Sequence, residues 1–241
     1  MLKVNGIIIN ISKYKNNDCI FSILTKDKLF SVLGRGSLKL NNKTSCLNKY
    51  FIYGEFDLYQ GPTSGLKLRD CNVFEYFSEY FRSYEDLMIF DFLVEITNKM
   101  ILNSFSTDEY FDLLLNLLKS LPKKINIYSL TIKYFVDLLK INGLALNFDK
   151  CSLFDKTNEN EFFGVDLVNG CVVYNKYNNN ENLLVLKKDE ILFLKDCFCS
   201  NNIEYLNLNK DSFLDLMKVL VIFLSQSLDI KLNSYELLKT I

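Results

Sequence analysis

The chain has 241 residues, with 28 basic and 29 acidic side chains, seven cysteines, and neither histidine nor tryptophan. Without an imidazole, Ser-His-Asp and Cys-His catalysis, His-ligated zinc and a histidine pH switch are excluded. An apolar share of 49% with 24% charged residues suits one or two folded domains, and the net charge of −1 shows no polyanion preference as an average.

The first eighty residues read as strands. Residues 4–11 are followed by a polar turn over 14–18 and by an alternating run over 19–25. A β-rich segment at 29–33 ends at Gly34-Arg35-Gly36. Residues 50–59 and 66–77 flank Gln60-Gly61-Pro62-Thr63-Ser64-Gly65, a strong hairpin signal. Five strands in this length predict a small oligonucleotide/oligosaccharide-binding (OB) barrel, and an SH3-like barrel or an open meander satisfies the same pattern.

After Ser83 the period becomes helical. Leu87, Phe90, Val94 and Ile101 mark one stripe. Phe111, Leu114, Leu115 and Leu118 mark a second that stops at Pro122. Leu130, Tyr134, Phe135, Leu138 and Leu139 mark a third, closed by Asn142-Gly143. A polar, irregular insert over 146–181 precedes helices at Lys188–Cys199, Lys210–Leu228 and 234–239. These stripes read as core. The predicted class is α+β: an OB-type barrel over 1–80, then a helical domain over 81–241 that carries the insert.

Ile7–Ile9 is too short for a signal peptide and the run at 219–224 too short for a bilayer span, so a soluble, cytoplasmic chain without a membrane contact is expected. The seven cysteines are odd in number and irregularly spaced, which predicts no disulfide framework.

Charge divides at the same boundary. Residues 1–80 carry 11 basic and 7 acidic side chains, a balance of +4, whereas 81–241 carry 17 and 22, a balance of −5. Within 13–49, Lys13, Lys15, Lys26, Lys28, Arg35, Lys39, Lys43 and Lys49 face only Asp18 and Asp27. A basic barrel beside an acidic helical body is a physical argument for a polyanion held at one end, the alternative being a merely solvated surface.

The order of these features resembles the RecO family of bacterial recombination mediators over nearly the whole chain. Gly6-Ile7-Ile8-Ile9, Tyr14, Asp18 and Leu24-Thr25 are similar to its first two strands. Leu29-Phe30-Ser31-Val32-Leu33-Gly34-Arg35-Gly36 is similar to its third strand and basic loop, and Leu66-Lys67-Leu68-Arg69-Asp70 with Val73 to its last strand. Phe92-Leu93-Val94-Glu95, Tyr110-Phe111-Asp112-Leu113-Leu114 and Lys133-Tyr134-Phe135-Val136-Asp137-Leu138-Leu139 resemble its helical body. Ser225-Gln226-Ser227-Leu228-Asp229-Ile230-Lys231-Leu232-Asn233-Ser234 resembles its closing helix and turn.

The resemblance implies a protein that is not an enzyme and needs no cofactor. It implies binding of single- and double-stranded DNA, strand annealing, and contact with the C-terminal tail of the single-stranded DNA-binding protein SSB. With RecR, such a protein helps to load RecA on SSB-coated DNA. Phosphate neutralisation then falls to Arg35, Lys39 and Lys43, with Lys67 and Arg69 two apart on one strand face. Gly34 and Gly36 would let the loop backbone approach a phosphate. Tyr14, Tyr53 and Tyr59 are stacking candidates. The SSB tail, acidic and ending in phenylalanine, needs an apolar groove edged by cations, for which Lys123, Lys124 and Lys133 are named.

Many RecO proteins carry a four-thiolate zinc site in the insert. Here its ligand positions hold Cys151, Phe154, Tyr174 and Tyr177, while Cys171 stands at a glycine position, so no zinc is expected. An aromatic cluster is expected to hold the insert instead.

Two other classes are compatible with parts of the sequence. One is an OB-plus-helix protein–protein adaptor without DNA binding, which the modest +4 permits. The other is an enzyme built on carboxylates or on Cys197-Phe198-Cys199. Residues two apart on a helix diverge, and no phosphate-cradling glycine motif occurs.

Overall fold

The computed structural model describes residues 1–39, 43–61, 65–101, 107–123, 125–148, 163–173, 183–199 and 207–241. Five strands, β1 (Leu2–Tyr14), β2 (Asp18–Leu24), β3 (Leu29–Gly34), β4 (Ile52–Gln60) and β5 (Leu66–Tyr76), close into a barrel in the order β1-β2-β3-β5-β4. All pairings are antiparallel except the short parallel join of β3 to β5 through Val32–Leu66 and Leu33–Lys67. This is the OB-type arrangement expected, and it abolishes the sheet edges.

Bulges set which side chains enter the barrel. In β1 the register against β2 slips between Ile8 and Asn10, so Ile8 and Ile11, three apart, both reach the core. Ile7 and Ile9 are buried as completely as Ile8. Helix α1 (Tyr84–Ile101) packs on β1, and Asn98 Nδ2 donates to the Ile9 carbonyl at 2.7 Å. The Ile7–Ile9 triplet is therefore a strand covered on both faces. Strand β5 slips twice, around Arg69 and around Phe74, and so presents Leu66, Leu68, Cys71, Val73 and Tyr76 to the same core. A 3-10 helix at Lys43–Leu47 supplies Leu47 to this cluster.

Helix α2 (Asp108–Ser120) is tied to the β2–β3 turn. Lys26 Nζ lies 2.8 Å from Asp112 Oδ2, and Thr107 Oγ1 donates to the Lys26 carbonyl at 3.0 Å. The change from strand to helix falls between Tyr76 and Tyr84, near the expected 80/81 boundary, while the compact unit extends over Met1–Lys123.

The second unit, Lys124–Thr240, is built on α3 (Ile127–Ile141). This helix is buried along Ser129–Val136 and packs on α4 (Lys188–Cys199) and α5 (Lys210–Leu228), with a short α6 (Ser234–Leu238) at the end. Asn126 caps α3 by accepting from Ser129 N at 3.0 Å, and Asn209 caps α5 by accepting from Ser212 N at 2.9 Å. Asn142 and Gly143, the latter at φ +73°, stop α3 as expected.

The insert is more regular than its polar sequence suggests. Strands β6 (Phe163–Asp166), β7 (Cys171–Val173) and β8 (Leu183–Leu186) form a sheet in the order β7-β6-β8. Asp166 organises the β6–β7 turn by accepting from Val168 N, Asn169 N and Asn169 Nδ2 at 2.8–3.2 Å. Cys171 is buried and disulfide-bonded, contrary to the expectation drawn from an odd, irregular cysteine count. Its sulfur is no thiolate for a metal. Cys151, Phe154, Tyr174 and Tyr177 lie outside the described residues.

Candidate nucleic-acid interface

The pairing of Cys19 with Gly34 sets the β1–β2 turn beside the segment that leaves β3. The two meet in a shallow concavity of about 760 Å³ lined by Lys15, Asn16, Asn17, Asp18, Arg35, Gly36 and Lys39. The Asp18 carboxylate accepts the Gly36 N–H at 2.7 Å and Leu38 N donates to the Asn17 carbonyl at 3.1 Å, so the two turns are bonded together. Arg35, Lys39 and Lys15 are exposed around this hollow. Lys15 Nζ lies 5.2 Å from the centre of the Tyr14 ring, which is 40% exposed.

Both glycines around Arg35 have local reasons. A Cβ at Gly34 would collide with the Phe21 ring, and Gly36 sits at φ +65°. The Gly36 N–H is already bonded to Asp18, so the cations, rather than that amide, are what the hollow offers an anion. Three cations against Asp18 leave it positive.

Arg35 and Lys39 thus come together as expected, while the Lys43 side chain lies outside what is described. Lys67 requires a correction. Leu66 and Leu68 do face the core, which puts Lys67 and Arg69 on the other side, but Arg69 is exposed and Lys67 is only 5% exposed. The Lys67 chain lies over Gly61 across the β4–β5 turn, in space that a Cβ there would occupy. Lys15 and the two asparagines were missed as site residues. Their signal is the strand register, which places the first turn beside Arg35.

The other basic residues of 13–49 divide by use. Lys26 pairs with Asp112 and Asp108, Lys49 pairs with Glu79 at 3.3 Å, and Lys28 lies over the Phe30 ring. Tyr53 packs edge-on to Phe74, which makes it a structural ring more than an open platform.

In the helical region Lys123 is exposed and Lys124 lies outside the described residues. Lys133 is 3% exposed and ion-paired with Asp137 one helical turn away, so it is no rim of an open groove. A groove of the required chemistry lies elsewhere in that unit. Between α5 and α6 a hollow of about 750 Å³ is lined by Val221, Ile222, Ile230, Leu232 and Tyr235, with Lys218, Lys231 and Lys239 among its polar residues. Asp215 and Glu236 also line it.

Among the described residues no cluster of three Cys, Asp or Glu side chains is placed to hold a metal, and no helix is long and apolar enough to cross a membrane.

Comparison with known proteins agrees with this architecture. The family model described as "Recombination protein O C terminal" matches residues 82–236. Over its whole length the chain is 23% identical to the DNA repair protein RecO of Clostridium kluyveri, covering 94% of that protein. With its helical body matched by the family model and its barrel in the OB order, the chain belongs to the RecO family of DNA repair proteins.

Proposed function

We propose that this chain is a recombination mediator that performs no covalent chemistry. It binds single- and double-stranded DNA at the basic end of its barrel and anneals complementary strands. With RecR it helps to load RecA on SSB-coated DNA. The observation that carries this reading is the convergence of Lys15, Arg35 and Lys39 on one hollow, beside an exposed Tyr14 ring. Cations there neutralise phosphates and the ring offers a face to an unstacked base. The α5–α6 groove supports a contact with the SSB tail: apolar walls suit a terminal phenylalanine, and Lys218, Lys231 and Lys239 suit its acidic residues.

Binding of a fluorescent oligonucleotide across a salt series tests the reading. Affinity should fall with a log–log slope of about −2 to −3, the value for three to four neutralised phosphates on a single strand. Changing Arg35, Lys39 and Lys43 together to Glu should weaken binding at least tenfold, about 1.4 kcal/mol, with an unchanged melting temperature. Equal affinities for parent and triple variant would remove this footprint. Salt-independent failure to bind, with the SSB tail still captured, would favour the adaptor reading.

A further inference from the structure

The hollow between the β1–β2 turn and the end of β3 has a floor fixed from several sides. Besides the bonds from Gly36 N to Asp18 and from Leu38 N to Asn17, Lys39 N donates to the Gly36 carbonyl at 2.9 Å. Asn48 Nδ2 donates to the carbonyl of the buried Ser37 at 2.6 Å. Lys15 takes a left-handed backbone at φ +55°, which a residue with a side chain keeps only where its surroundings fix it. Lys15, Arg35 and Lys39 thus stand on a bonded frame around one hollow. Elsewhere on the barrel, Lys3, Lys26 and Lys49 are paired with carboxylates, Lys28 lies over Phe30 and Lys67 is buried. Among the described residues, cationic charge is therefore gathered at one point rather than spread in a row.

We propose that this hollow seats the terminal phosphomonoester of a nucleic-acid strand, so that the chain engages strand ends in preference to strand interiors. The inference rests on the DNA-binding reading above and names the part of the strand that enters. An internal phosphodiester carries a single charge, and its neighbours continue on both sides, so a row of cations suits it best. A terminal phosphomonoester carries about −1.5 to −2 at pH 7 on three free oxygens and can enter a hollow end-on. Lys15 and Lys39 meet it as point charges and Arg35 as a planar fork. The three cations less the Asp18 carboxylate leave a charge of +2, which offsets a dianion. The Tyr14 ring, exposed beside Lys15, offers a face to the terminal base, which has a stacking neighbour on one side only.

Competition against an internally labelled oligonucleotide tests the seat with the full chain. The competitors are one single strand with a 5′-phosphate, with a 3′-phosphate, with hydroxyls at both ends, and closed into a circle. A phosphorylated end should bind roughly tenfold more tightly than the hydroxyl-ended strand or the circle. Changing Lys15 and Lys39 together to Gln should shrink that gap to about twofold, with an unchanged melting temperature. Tight and equal binding of all four strands overturns the seat and leaves the DNA reading standing. A gap that persists undiminished in the double variant overturns its placement in this hollow. A free mononucleotide presents the same phosphomonoester, so deoxyadenosine 5′-monophosphate is a further competitor. If it competes as well as the phosphorylated strand, the ligand is a nucleotide and the strand-end assignment is overturned. No binding of any oligonucleotide at low salt overturns the DNA reading and the seat with it.

Discussion

Lys67 and Arg69 are two residues apart on β5 and differ in what they can do. Arg69 is exposed, whereas Lys67 is folded under the β4–β5 turn against Gly61. Arg69→Glu should therefore weaken oligonucleotide binding with no loss of stability. Lys67→Met should leave binding unchanged and hold or raise the melting temperature, because a buried ammonium gives way to an apolar chain of similar length. Thermal melts and anisotropy titrations of the two variants separate these outcomes. Titration gives a second residue-scale expectation. Burial raises the Cys71 and Cys197 thiols from 9.0 to about 12, and the Tyr235 hydroxyl from 10.0 to about 12. The fold thus favours the protonated forms. Their stabilising contribution is complete below pH 9 and is lost as the pH rises towards 12. Urea midpoints should fall steadily from pH 9 to pH 11, and Cys197→Ala should flatten part of that fall.

At the scale of elements, the barrel depends on its bulges and on the 3-10 helix that plugs it. Leu47 is wholly buried among barrel residues, so Leu47→Ala should cost about 2–5 kcal/mol and lower the melting temperature, with the detached loop also weakening DNA binding. The five strands and the six helices were legible because alternation, helical period, Gly/Pro turns and the Asn142-Gly143 stop all pointed one way. What escaped was shorter or hidden. Strands of three or four residues, such as Cys171–Val173, fall below the length at which a period can be read. The bulges leave no mark in composition, although the core spacing of Ile8 and Ile11 is their trace. Lys133 was a rim candidate because it lies near the third helical stripe, yet its own side chain is buried. Buried pairing with Asp137 is an i, i+4 relation that the sequence contains, but burial of that side depends on packing with α4 and α5.

For the whole molecule, a net charge of −1 conceals a basic end whose cations are themselves unequal. Lys26 and Lys49 are engaged in ion pairs, while Lys15, Arg35 and Lys39 ring the hollow between the β1–β2 turn and the end of β3. The hollow was half legible: Arg35 and Lys39 stand on the loop named from sequence, but Lys15 joins them only through the register of β2 with β3. The hollow between α5 and α6, proposed above for the SSB tail, was not legible, since it needs the two helices brought together in space. The sequence has no imidazole, and the proposed annealing function needs none. The most direct measurement is annealing of complementary oligonucleotides coated with SSB, by the purified chain, across a salt series. The account predicts annealing that fades as salt rises and is lost when Arg35, Lys39 and Lys43 become Glu. A chain that neither binds the oligonucleotides nor anneals them at low salt would contradict it.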